Sequence, residues 1–189
     1  PPGCGKSTLM SLLIRPKLVD QIGIDEHFVT AAAFLDDSST LDTLTMDLIP
    51  QLAERLPGYP QARDAAVATL TDEQRASATT FDTHILGALT AVNRRVRLIV
   101  DGLDQPERTA AEQIATALRT LAGPKIRVII GVRADTHAAT LITDANVIQL
   151  APPSTDEIRE ALIAASSLTE MRDPERLSTQ SVHEFPSDR

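Results

Sequence analysis

The sequence predicts an α/β fold, a three-layer α/β/α core over residues 1–150 in which helices flank both faces of a parallel sheet. Short apolar runs rich in Val and Ile alternate with longer segments of helical period, and such alternation implies parallel strands joined by helical crossovers. Of the 189 residues, 42% are hydrophobic, mostly aliphatic or Ala, whereas aromatics reach 3% and Trp is absent, a balance that suits helices layered on a sheet better than an aromatic-rich β fold. The length leaves room for one ordinary core but not two, since single cores commonly span roughly 100–200 residues.

The elements follow in order. Gly5 to Ile14 is helical in pattern and ends before Pro16, which disfavours helical geometry at Arg15. His27 to Leu35 is an apolar, β-favouring run that gives way to the polar loop Asp36–Thr40, so a buried strand is expected there. Leu41, Leu44, Leu48, Leu52 and Leu56 recur at spacings of three and four and mark the buried face of a helix whose other face carries Asp42, Asp47, Gln51 and Arg55; Pro50 is expected to kink or restart it. Residues 57–80 carry little pattern beyond a capping box of Thr71 with Gln74. A helix is read from near Phe81 through Ile85, Leu86, Leu89 and Val92 to Arg94-Arg95, then a strand over Val96–Val100, a helix over Thr109–Leu121 stopped by Gly123-Pro124, and a strand over Ile126–Val132. Asn146–Leu150 reads as one more short strand, and Ser154 with Glu157 caps a helix through Ile158, Leu162 and Ile163, within residues 151–167. Residues 168–189 are polar and read as frayed or as part of an incomplete subdomain.

A formal charge of −8 and a pI near 4.9 oppose non-specific binding to nucleic acid, which needs clustered Lys and Arg. The single cysteine, Cys4, cannot close an internal disulfide, and no Cys/His spacing suits structural zinc, so a reducing, cytoplasmic setting is expected. No apolar run approaches the ~20 residues of a membrane-spanning helix.

Chemistry concentrates in two motifs. Pro1-Pro2-Gly3-Cys4-Gly5-Lys6-Ser7 matches the phosphate-binding pattern G-x-x-x-x-G-K-[ST] except for its first glycine, which would precede Pro1; the chain is therefore expected to begin inside the loop, without the strand that supports it. Gly3, Cys4 and Gly5 belong to the bend that turns backbone N–H groups toward phosphate oxygens, Lys6 supplies a cation for the β- and γ-phosphates, the Ser7 hydroxyl can ligate Mg²⁺, and Thr8 can help at the α-phosphate. A Gly/Pro turn that happens to precede a lysine is the bland alternative. The second motif is Leu98-Ile99-Val100-Asp101-Gly102-Leu103-Asp104-Gln105, an apolar strand with acids at its C-terminal end, the edge at which open parallel sheets bind ligands. Asp101 can hold Mg²⁺ through water, and Asp104 can orient or deprotonate an attacking water; Asp-Gly also simply starts turns.

Together these motifs resemble the STAND class of signal-transduction NTPases, which includes NACHT and NB-ARC domains and is related to AAA+ proteins. Typical AAA+ proteins place Glu directly after the metal-linked Asp, whereas here Gly102 follows Asp101 and the next acid is Asp104, which favours STAND. The resemblance covers residues 1–165 and implies a P-loop NTPase core in which the sensor strand lies between the metal-linked strand and the phosphate-loop strand. It makes Arg133, at the end of the Ile126–Val132 strand, the candidate γ-phosphate sensor; Val132 departs from the family's Ser or Thr, and a surface Arg is the alternative. Arg108 is a weaker candidate. Leu150-Ala151-Pro152-Pro153-Ser154 resembles the junction into a helical lid, with Pro152 or Pro153 against adenine, or is a loop stiffened by two prolines. The implied ligands are ATP or ADP and Mg²⁺, the implied partners are other domains of the parent chain, and self-association stays open.

Other features carry less. Cys4 reads as a small loop residue, and His27, His84, His137 and His183 as scattered surface or strand-edge residues. Asp20-Gln21-Ile22-Gly23 imitates the D-x-x-G of GTPases but lies too close to the phosphate loop, and no Asn-Lys-x-Asp sequence exists, so adenine is favoured. Three functions remain open: a slowly hydrolysing ATP switch, a non-hydrolysing nucleotide-bound scaffold, and a small-molecule kinase, which the scarcity of Arg after Arg133 disfavours.

Overall fold

A computed structural model describes residues 5–15, 23–143, 145–151, 154–157 and 159–160. The chain divides into two units, Pro1–Leu150 and Ala151–Arg189. Among the described residues, the first is built on a three-stranded parallel sheet of β1 (Ala31–Phe34), β2 (Val96–Asp101) and β3 (Ile126–Gly131), in that spatial order. The register pairs Ala31 with Leu98 and Phe34 with Asp101 on one side of β2, and Val96 with Ile126 and Asp101 with Gly131 on the other. The expected strand over residues 27–35 contracts to four residues of regular ladder, although Thr30 N–H to Arg97 O and Leu35 N–H to Asp101 O prolong the pairing at each end.

Parallel strands need both faces covered, and here helices lie on both. On one face α1 (Lys6–Ile14) sets Met10 against Ile99 and Val29, with Leu13, Ile14, Ala32 and Ile129 around them. On the other, Ala31, Ala33, Leu98 and Val100 join one core with residues of α2 (Leu41–Arg55), α3 (Tyr59–Thr69), α5 (Gly87–Val92) and α6 (Arg108–Leu121). Leu98, Ile99 and Val100 are all fully buried, because successive side chains of a strand point to opposite faces and each face has a helix layer. Short helices α4 (Asp72–Ser77) and α7 (His137–Thr140) complete the unit. Among the described residues no helix is long and apolar enough to cross a membrane.

Several elements depart from expectation. Pro50 does not restart α2, which runs as one helix from Leu41 to Arg55. Its ring and Met46 both lie on the exposed side, where water can serve the carbonyl that Pro50 leaves without a donor, while Leu48 and Leu52 are buried on the opposite side. Gln51, read as solvent-facing, reaches back to the outer edge of β1: its Nε2 donates to Ala32 O at 2.8 Å and its Oε1 accepts from Ala32 N–H at 3.0 Å. The amide thus stands in for a neighbouring strand. Residues 57–80, nearly patternless in sequence, form α3 and α4, the latter opened by the expected Thr71–Gln74 capping box.

Phe81 to Val92 is helical as expected, but it begins as a π turn over Asp82–Leu86 before continuing as α5, and it ends at Asn93 in the left-handed conformation. Tyr59 is buried against this turn and donates its hydroxyl to His84 O at 2.9 Å. Burial pushes the Tyr59 phenol up to about 12. His84 is not a simple surface residue either, since its Nδ1 is buried and has no hydrogen-bond partner among the described residues.

Asn146–Leu150 forms no strand: residues 145–150 take no ladder pairing, and Val147 and Ile148 are 82% and 86% exposed. β-favouring residues make a strand only where an edge accepts them, and this stretch reaches none. In the second unit Ser154 and Glu157 make the expected reciprocal cap, with Ser154 N–H to Glu157 Oε2 at 2.7 Å and Glu157 N–H to Ser154 Oγ at 3.2 Å. Ile158, Leu162, Ile163 and residues 168–189 lie outside the described residues, as do Pro152 and Pro153.

Candidate functional site

Two segments far apart in sequence meet at the C-terminal edge of the sheet. Gly5, with φ of 78°, takes the left-handed conformation that L side chains avoid, and its carbonyl accepts Leu9 N–H, so α1 starts abruptly at Lys6. Lys6 and Ser7 therefore occupy the first turn, where helix N–H groups lack intrahelical acceptors and the dipole is positive. Both side chains turn to one carboxylate: Lys6 Nζ lies 2.7 Å from Asp101 Oδ1, and Ser7 Oγ donates to Asp101 Oδ2 at 2.5 Å, across 95 and 94 residues of sequence. Asp101 is the last residue of β2 and its side chain is only 4% exposed, against 22% for Lys6. A carboxylate this deep needs charged or hydrogen-bonding partners, and α1 supplies them.

Glycines make room for this geometry. Gly131 stands opposite Asp101 in β3, and a Cβ there would overlap the carboxylate, 2.9 Å from Asp101 Cγ and 3.3 Å from its Cα. Gly102 turns the chain away from the sheet with φ of 86°, and a Cβ there would stand 2.7 Å from Leu35 O. The N–H groups of Gly102 and Leu103 both bond to Gly131 O, at 3.0 and 3.1 Å, tying the ends of β2 and β3 together. Gly102 stands within the second motif, but Gly131 was not identified from sequence as part of the site; a glycine closing the mostly β-branched run Ile126–Ile130 is the available signal, because glycine in a strand often marks close approach of another group.

Beyond this turn Asp104 faces Arg133. The Asp104 side chain is 1% exposed; its Oδ1 accepts Arg133 N–H at 3.0 Å and its Oδ2 lies 3.0 Å from Arg133 Nε. Gln105 Nε2 also donates to Oδ2, at 2.6 Å. The two acids of the second motif thus have separate partners, Asp101 the first turn of α1 and Asp104 the segment after β3. Arg108 turns away from both acids: its Nε pairs with Glu112 at 3.0 Å along α6. His137 binds the same Glu112 oxygen at 3.0 Å, and the Arg108 and His137 hydrogen bonds, in that order, hold this carboxyl below its ordinary range. Thr8 is exposed on α1, and Gly3 and Cys4 lie outside the described residues.

The donor set suits a phosphate-bound hard cation. A hydroxyl and a carboxylate are oxygen ligands of the kind Mg²⁺ takes, few in number because Mg²⁺ keeps waters and substrate phosphates in its shell. Lys6 is the accompanying cation, and its present partner is a carboxylate, itself an anionic oxygen group.

Fold and site together define a mixed α/β domain whose parallel sheet gathers a lysine, a serine and two acids at its C-terminal edge. The chain belongs to the nephrocystin 3 N-terminal family, whose family model matches residues 1–133 and so covers the whole sheet and both acids. No curated protein and no solved structure matches the chain significantly.

Proposed function

We propose that this chain is the nucleotide-binding module of a STAND-type P-loop protein, a switch that holds Mg·ATP at the start of α1 and changes state when the γ-phosphate leaves. The observation that carries the reading is the convergence of Lys6 and Ser7, from the first turn of one helix, on the buried Asp101 at the end of the central strand. Lys6 would move from Asp101 to the β- and γ-phosphates, and Ser7 and Asp101 would hold Mg²⁺, directly and through water. The metal would supply neutralisation of phosphate charge. Arg133 would read the γ-phosphate, and other domains of the parent protein would carry the output.

In the full-length protein, Lys6→Ala is expected to abolish ATP binding measured by titration calorimetry. Undiminished affinity would refute the assignment. A second reading, a nucleotide-bound scaffold that does not hydrolyse, is favoured by the 1% exposure of the Asp104 side chain, whose oxygens are already engaged and closed to an incoming water. Phosphate release over time separates the two: steady turnover supports the hydrolysing switch, and nucleotide retained intact supports the scaffold.

A further inference from the structure

We infer that Asp104 is a positioning residue for Arg133, aiming its guanidinium for a triphosphate, and does not activate water; the inference rests on the nucleotide reading above. The carboxylate grips Arg133 at two points, main-chain N–H and side-chain Nε, each at 3.0 Å. Two attachments to one residue fix both the backbone after β3 and the direction of the side chain, which a single ion pair would leave free to swing. The pairing through Nε leaves both terminal nitrogens of the guanidinium without a partner among the described contacts, on a side chain that is 45% exposed. Those are the donors with which Arg meets a phosphate in a two-pronged arrangement.

The anchor is itself tied to the sheet. Leu103, fully buried, and the hydrogen bonds from Gly102 and Leu103 to Gly131 O fasten the loop bearing Asp104 to the end of β3, from which Arg133 follows two residues later. Gln105 completes the arrangement by donating to the same Oδ2. A general base must reach the water whose proton it takes, directly or through one further water. At 1% exposure, with one oxygen accepting a main-chain N–H and the other held between Nε and an amide, Asp104 offers no such access. Gln105 is an amide and cannot replace it as a base.

The test uses the full-length protein and measures Mg·ATP and Mg·ADP affinities for wild type, Asp104→Asn, Arg133→Ala and the double variant. Asp104→Asn keeps the size and one acceptor but loses the charge opposite Nε. Each single variant is expected to weaken ATP binding about tenfold while leaving ADP affinity within about twofold, and the double variant is expected to match the single ones, as partners acting through one contact do. Asp104→Asn that stops phosphate release with an unchanged ATP-to-ADP affinity ratio, or losses that add in the double variant, would overturn the inference. Nitrogen-15 relaxation of the Arg133 Nε in the nucleotide-free protein gives an independent readout. It should report an ordered side chain in wild type and a mobile one in Asp104→Asn; equal mobility in both sinks the clamp. If wild type binds neither nucleotide while the Asp104-dependent ordering persists, the nucleotide reading falls and the clamp alone stands.

Discussion

Replacing Gly131 by Ala should break the site from the opposite strand without touching a charged residue. Gly131 does not have a positive φ, so the effect is one of space and not of backbone strain. The added Cβ would sit 2.9 Å from Asp101 Cγ and 3.3 Å from its Cα, and would overlap the carboxylate oxygen that pairs with Lys6. Cross-strand neighbours in a hydrogen-bonded ladder cannot separate cheaply, so the carboxylate must rotate and give up Lys6 at 2.7 Å and Ser7 at 2.5 Å. Hydrogen bonds to charged groups contribute about 1.5–3 kcal/mol each, and stranding a buried charge costs about 3–5 kcal/mol. Because Lys6 is 22% exposed and recovers some hydration, a loss near the lower end, about 3 kcal/mol, is expected. Urea denaturation followed by far-UV circular dichroism measures it. In an Asp101→Ala background the same substitution should cost under about 1 kcal/mol, since the carboxylate it collides with is gone. A wild-type midpoint for Gly131→Ala, or an equal cost in both backgrounds, would refute the reasoning.

Three further outcomes follow from the core. Gln51→Ala should cost about 1–3 kcal/mol for the two lost bonds to Ala32 and should promote association through the uncovered edge of β1, visible by light scattering; unchanged stability and scattering would show that the edge needs no cover. Leu48→Ala, at a fully buried position of α2, should destabilise by about 2–5 kcal/mol in the same urea assay, and a loss below about 1 kcal/mol would contradict the packing of that helix on the sheet. Tyr59 is the sole tyrosine and there is no Trp, so its ionisation can be followed alone by ultraviolet absorbance. Its folded-state pKa is raised from 10.0 to about 12, so the stability linked to it is fully present below pH 10 and declines as pH rises toward 12; Tyr59→Phe should remove that decline, and a titration midpoint near 10 in the folded protein would refute it.

Much of the architecture was legible in residue order because periodicity is a local property. The 3.6-residue recurrence of Leu44, Leu48 and Leu52 marked α2, and the branched runs before Asp101 and Gly131 marked β2 and β3. The sheet order β1-β2-β3 puts the Asp101 strand beside the Arg133 strand, the adjacency expected from the resemblance. Where local cues were weak or double-edged, the reading failed. Val147 and Ile148 favour strands but found no edge, Pro50 was accommodated by an exposed helix face, and α3 formed from a stretch with little amphipathic pattern.

The candidate site divides in the same way. Lys6, Ser7, Asp101 and Asp104 could be named from short patterns, because a helix start after glycine and acids after an apolar strand are written in neighbouring residues, whereas Arg133 was named only through the family resemblance. Which of them touch could not be read there. Asp101 joins Lys6 and Ser7 across more than ninety residues, and Asp104 joins Arg133 across 29; those pairings depend on strand register and on where each crossover helix returns the chain. Gly131 shows the limit most plainly. By itself the sequence determined a parallel α/β layering with reactive side chains at strand and helix ends, since hydrophobic period and turn chemistry act between near neighbours. Only the tertiary structure decided that a glycine in one strand makes room for the acid of the next, because that requirement exists only once β2 and β3 are in register.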